Sequence, residues 1–144
     1  MYKHILIATD GSELAQKAVK AGLVLARTLG AKATAVTVSE PWTSAAGGEA
    51  SAGFPFDAYE KAVAEAAAKT LTSVSNVAKQ LDITCATVHL KNYPAEGILQ
   101  AAKERGCDLI VMASHGRRGF TRLLLGSQAM RVLTGSSVPV LVCR

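Results

Sequence analysis

The sequence predicts an α/β fold built on one open parallel sheet with helices on both faces. Three observations point there. Short, nearly continuous apolar runs recur along the chain, as strands buried on both faces require. Each run except the last is followed by a stretch with helical spacing of its apolar residues, and strict alternation of strands and helices is the pattern of a parallel sheet. A chain of 144 residues that is 49% hydrophobic can bury one sizeable core but is short for two, so residues 1–144 are taken as a single domain.

The elements follow in order. His4, Ile5, Leu6, Ile7 and Ala8 form the first strand, which ends at Thr9-Asp10-Gly11-Ser12. Ser12 is a good N-cap, and Leu14, Ala18, Ala21, Leu25 and Leu29 recur at helical spacing up to Gly30. A second strand is expected over 33–38. Residues 39–57 then carry glycine and proline among small residues, and a loop of that length is expected to be mobile.

A long alanine-rich helix is predicted over 58–81, with Val63, Ala67, Leu71, Val74 and Ala78 on its apolar face and Glu60, Lys61, Glu65 and Lys69 outside. The third strand is placed at 84–90. Pro94 opens a helix to about Arg105, which Gly106 ends. The fourth strand covers 109–113 and a helical stretch covers about 121–133, with Ser127 read as a cap. The last strand is 138–143, and Pro139, which has no N–H to give a ladder, puts it at an edge.

Composition narrows the function. No apolar run approaches the roughly 20 residues that span a bilayer, and the start passes directly into a strand pattern rather than a secretion signal, so a cytoplasmic protein without membrane contact is expected. Cys85, Cys107 and Cys143 are scattered and read as reduced, packed thiols. His4, His89 and His115 lie too far apart to assemble a metal site locally. The formal charge of +5 suits an anionic partner, but with Phe, Tyr and Trp at 5% there is no aromatic array for stacking nucleic acid.

In an open parallel sheet ligands sit beyond the carboxyl ends of the strands, where strand order reverses. Thr9-Asp10-Gly11-Ser12 and Ser114-His115-Gly116-Arg117-Arg118-Gly119 carry polar residues suited to that position. The helix start at Gly126-Ser127 offers free N–H groups and the positive end of a dipole, a good place for a phosphate. Arg117, Arg118 and Arg122 either reach outer phosphates or stand in water. Singly, each of these residues also serves as an ordinary turn, cap or hinge residue; it is their joint place at strand ends that favours binding.

Over essentially its whole length the chain resembles the universal stress protein family. The resemblance rests on Ile5-Leu6-Ile7-Ala8-Thr9-Asp10-Gly11-Ser12, on Met112-Ala113-Ser114-His115-Gly116 followed after nine residues by Gly126-Ser127, and on Val138-Pro139-Val140-Leu141-Val142. The ATP-binding branch carries G-x2-G-x9-G-[S/T], and here the pattern reads Ala113, Gly116, Gly126, Ser127, with alanine for the first glycine. The resemblance implies a Rossmann-like, adenine nucleotide alpha hydrolase-like sheet with strand order 3-2-1-4-5, and a stress-response role. It places Ala8, Thr9 and Asp10 at the nucleoside, Val38 beside the base, and Met112, Ala113, His115, Gly116, Gly126, Ser127 and Gln128 around ribose and phosphates. ATP, with or without Mg2+, is the implied ligand. A homodimer through 138–143 is implied as well, and an apolar edge strand has a physical motive for such pairing.

Four readings stand at this point: a nucleotide-binding regulatory module, a ligand-free dimeric interaction module of the same family, a weak ATP hydrolase or phosphotransferase, and a phosphorylated receiver domain. The chain has no G-x-x-x-x-G-K-[ST] loop, no G-x-G-x-x-G after the first strand and no second acidic residue beside Asp10. His115 has no sequence-adjacent carboxylate to orient it as a general acid or base. Regulation by binding is therefore preferred to catalysis.

Overall fold

The computed structural model describes residues 1–42, 53–117 and 124–144. Five parallel strands, β1 (His4–Ala8), β2 (Lys32–Ser39), β3 (Cys85–Lys91), β4 (Leu109–Ala113) and β5 (Val140–Cys143), lie in the order β3-β2-β1-β4-β5. Among the described residues four helices connect them: α1 (Glu13–Leu29), α2 (Phe56–Gln80), α3 (Pro94–Arg105) and α4 (Ser127–Gly135). The chain starts at the middle strand, winds one way to β3, then crosses to β4 and β5 on the other side of β1. The strand order thus reverses between β1 and β4.

Alternation along each strand sorts the core into two layers. Ile5, Ile7, Leu109 and Val111 meet Val19 and Leu23 of α1 and Val74 and Ala78 of α2. Leu6, Ala8, Ile110 and Met112 meet Ile98 and Ala101 of α3 and Ala129 and Val132 of α4. Ile5, Leu6 and Ile7 are all fully buried, which is why β1 reads as an unbroken apolar run. Each such side chain stabilises the fold by about 1.5–3 kcal/mol relative to exposure, and truncation costs more because a cavity is left.

Helix ends follow their sequence signals. Ser12 Oγ accepts the Ala15 N–H (3.3 Å) at the start of α1. α1 and α3 close on Gly30 and Gly106, both with φ of 64°, the left-handed conformation in which glycine carries no Cβ penalty. On α2 the buried residues are Ala67, Val74 and Ala78, on the face the spacing predicted.

Several boundaries move. β2 gains a residue at each end, β3 is shifted by one, and α2 starts at Phe56 rather than 58, behind Pro55, which gives it no side-chain cap bond. Of the expected long loop, residues 43–52 lie outside the described residues. At its two feet Trp42 packs against Phe54 and edge-on against Phe56 (ring centroids 5.2 Å), while the Tyr59 hydroxyl donates to the Glu40 carbonyl (3.2 Å).

The fourth helix is the main correction. Residues 124–126 are not helical, 121–123 lie outside the described residues, and α4 starts at Ser127 with Gly126 as its N-cap, so Ser127 is the first helical residue and not the cap. The reason is a backbone tie: the Gly126 N–H donates to the Ser114 carbonyl (2.7 Å), holding Gly126 extended while its own carbonyl already receives the Met130 N–H. β5 is shorter than expected, because the Ser136 hydroxyl bonds both backbone groups of Val138 in a tight turn before the strand. Pro139 is used only through its carbonyl, which accepts the Ile110 N–H (3.0 Å), and β5 occupies an edge as its proline demanded.

All three cysteines are free thiols. Burial, helped by neighbouring Asp108, pushes Cys107 up to about 11, and burial raises Cys85 and Cys143 as well, so none is held as a reactive thiolate.

Candidate functional site

The β1–α1 turn and the β4–α4 loop leave adjacent strands at the point where strand order reverses, so their first residues meet. β1 ends by donating the Thr9 N–H to the Val36 carbonyl of β2 (3.0 Å), and Thr9 Oγ1 accepts the Gly11 N–H (3.1 Å). Asp10 follows with both carboxylate oxygens engaged. Oδ1 accepts the Ser12 N–H (2.9 Å) and Oδ2 accepts the Arg117 N–H across the crevice (2.9 Å). Two loops 107 positions apart are thereby joined by one side chain.

On the β4 side the Ser114 N–H donates to the Cys143 carbonyl (2.7 Å), continuing the ladder with β5. The Ser114 hydroxyl is hydrogen-bonded to His115 Nδ1 (3.0 Å), which fixes the imidazole without a carboxylate. His115 Nε2 is buried and has no hydrogen-bond partner among the described residues. The ring lies under the start of α4, since a Cβ built on Gly126 would be 3.5 Å from His115 Cδ2 and 2.9 Å from the Ser114 carbonyl oxygen. The first turn of α4 directs N–H groups without intrahelical partners toward the same place, at the positive end of its dipole.

Thr9, Asp10, His115, Gly116, Gly126 and Ser127 are the predicted residues that gather around this crevice. Ala8 and Met112 lie beneath it as buried core. Two others are engaged elsewhere. Val38 packs on α3, where its Cγ1 lies 2.7 Å from the position of a Gly97 Cβ. Gln128 Oε1 accepts the Ala95 N–H (3.2 Å), capping α3. The Ala113 methyl packs against Ala15 and Ala18 under the first turns of α1. Arg117 NH2 lies 3.0 Å from where a Gly11 Cβ would be, beside Thr70 of α2. Arg118, Gly119 and Arg122 lie outside the described residues.

Sequence reasoning missed Ser114 as a partner of His115 and Thr70 as a neighbour of the Asp10 turn. Ser114 sat inside the motif and was legible by its adjacency to His115. Thr70 gave no signal, being one more polar residue on a long surface helix until α2 is docked.

The model of the universal stress protein family matches residues 1–144. The chain belongs to that family. A universal stress protein of Bacillus subtilis is 31% identical over 148 residues, covering all of both chains. Among solved structures, UspA from Lactobacillus plantarum superposes with a TM-score of 0.81 at 23% identity, covering 99% of this universal stress protein and 98% of that chain. A universal stress protein in complex with cAMP superposes with a TM-score of 0.76 at 21% identity, covering 99% and 97%. One from Archaeoglobus fulgidus in complex with dAMP gives 0.68 at 20%, covering 99% and 98%. These structures share the fold, and the last two proteins hold adenine nucleotides.

Proposed function

We propose that this universal stress protein is a nucleotide-binding regulatory module that takes ATP in the crevice between the β1–α1 turn and the β4–α4 loop. The observation that carries the reading is the meeting of Thr9-Asp10 with Ser114-His115-Gly116 and Gly126-Ser127 at the reversal of strand order, with a buried His115 nitrogen that has no partner among the described residues beside the start of α4. A phosphate there would receive N–H groups from α4 and give His115 Nε2 a partner. Two relatives of the same fold hold cAMP and dAMP, which supports an adenine nucleotide as the class of ligand.

Alanine in place of the first motif glycine does not oppose this, because the Ala113 methyl is taken up against α1. No cluster among the described residues could hold a metal ion, and Asp10 spends its oxygens on N–H groups, so Mg2+ would come with the phosphates rather than on protein ligands. His115 is oriented by a serine hydroxyl rather than a carboxylate, which favours binding over general acid–base work. No helix among the described residues is long and apolar enough to cross a membrane. We take residues 1–144 as one domain working in the cytoplasm.

A homodimer through β5 belongs to the same proposal. Among the described residues β5 pairs on one side only, Leu141 is 42% exposed and Met130 of α4 is 53% exposed. The competing reading, a dimer that takes no nucleotide, is favoured by the engagement of Val38 and Gln128 with α3.

Calorimetric titration with ATP and Mg2+ separates the two. Binding in the micromolar range that is lost in Gly126→Arg is expected; wild-type protein that gives no heat with ATP leaves the dimeric interaction module. Sedimentation of wild type and Leu141→Lys tests the interface, with a dimer expected for the first and a monomer for the second.

A further inference from the structure

We propose that Asp10 is a positioning residue that pins residues 114–117, at the start of the β4–α4 loop, for its ligand, and that Gly116 is glycine because this pin fills the space of its side chain. A Cβ on Gly116 would lie 2.7 Å from Asp10 Oδ2, the oxygen that receives the Arg117 N–H. A carbon cannot sit that close to a carboxylate oxygen, so a side chain at 116 requires the Asp10 carboxylate to shift from the position in which it receives the Arg117 N–H. Backbone conformation gives no competing reason: the glycines with positive φ are Gly11, Gly30 and Gly106.

The pin works with a second tie. Ser114 is held by the Gly126 N–H through its carbonyl, and Arg117 is held by Asp10, so the short run between them, which carries His115, is fixed at both ends. Release of the Asp10 end frees the His115 side of the crevice while leaving the α4 start in place. Each oxygen of Asp10 receives one main-chain donor, and through these two bonds Asp10 sets the backbone that faces the ligand. The consequence for the ligand rests on the nucleotide reading above; the pin itself does not.

A double-mutant cycle tests it, using Asp10→Ala, Gly116→Ala and the pair, with ATP as probe and amide exchange at Arg117 as a second readout. Each single change is expected to weaken ATP binding about tenfold, while Gly116→Ala added to Asp10→Ala changes it less than about twofold, because both remove one interaction. Asp10→Asn behaves like Asp10→Ala, since an amide that keeps its oxygen on Ser12 turns an NH2 toward the Arg117 N–H. The Arg117 amide exchanges slowly in wild type and fast in either single variant, with no further gain in the pair. Additive losses in ATP affinity overturn the proposal, because Asp10 and Gly116 then act on the ligand separately. Should wild type bind no ATP, the nucleotide reading falls, and Arg117 exchange still decides the pin: an amide unprotected in wild type overturns it.

Discussion

The two ends of the sheet are built on opposite principles. At the amino ends of the strands polar groups satisfy one another. The Asp108 carboxylate accepts the N–H groups of Lys3 (2.8 Å) and His4 (3.0 Å), His4 Nε2 is hydrogen-bonded to Thr34 Oγ1 (2.8 Å), and α1 and α3 close on left-handed glycines with open space around them. A groove of about 440 Å³ lies at this end, lined in part by His4, Lys32, Thr34 and Arg105, but its basic side chains stand near helix carboxyl ends and need no ligand to account for them. At the carboxyl ends, loops distant in sequence are tied by single side chains and close backbone contacts, and a buried ring nitrogen has no partner among the described residues. One end is finished by the chain itself. The other leaves polar groups without partners among the described residues at the reversal of strand order, where the proposed nucleotide would complete them.

The largest effects that test this contrast come from the glycines. Gly126→Ala puts a methyl 2.9 Å from the Ser114 carbonyl oxygen, and a backbone clash at the carboxyl end is expected to cost about 1–3 kcal/mol of unfolding stability together with ATP affinity. Gly106→Ala at the amino end meets no atom within 4 Å and is expected to cost about 1 kcal/mol through its positive φ alone, with ATP binding unchanged. Urea unfolding and calorimetry on both variants make the comparison; equal loss of ATP binding would break it.

A second pair of changes reads the polar groups. His115→Leu removes a buried nitrogen that has no partner among the described residues but also strips the buried Ser114 hydroxyl of His115 Nδ1, so the two effects offset and stability is expected to change by less than about 1 kcal/mol while ATP affinity falls. Thr34→Val at the other end strips His4 of its partner and is expected to cost about 1 kcal/mol with no effect on ligand. A His115→Leu that loses more than about 2 kcal/mol and keeps its ATP affinity would mean that the ring serves the fold and not the crevice.

The smallest expected effect concerns pH. Hydrogen bonds from the His4 and Lys3 N–H groups hold the Asp108 carboxyl below its usual range. A carboxylate depressed on folding adds stability above its unfolded pKa near 4 that is lost as pH falls through the folded value. Asp108→Asn is therefore expected to lose less than about 1 kcal/mol at neutral pH, since solvent screens the group, and to flatten the decline of stability below about pH 4. Thermal unfolding from pH 7 to pH 2 measures it; an unchanged acid limb in the variant would remove Asp108 from the amino-end account.

Much of this was legible in the chain. Apolar runs at 4–8 and 109–113 specify strands buried on both faces, Ser12 and Pro94 start helices, Gly106 ends one, and Pro139 sends the last strand to an edge, because each signal acts within a few residues. The motif spacing likewise points to the two loops that meet at the reversal of strand order. What sequence could not supply depends on which surfaces meet. That Asp10 and Ser114 stand against Gly116 and Gly126, and that the side chains of Val38 and Gln128 meet α3, is not written in the residues around them. α4 starts where the Ser114 carbonyl catches Gly126, a bond no helix propensity encodes. Local periodicity and caps are properties of neighbouring residues and are written in their order. The direction of a side chain at a strand end is set by elements packed from 30 to more than 100 positions away, and only the folded chain decides it.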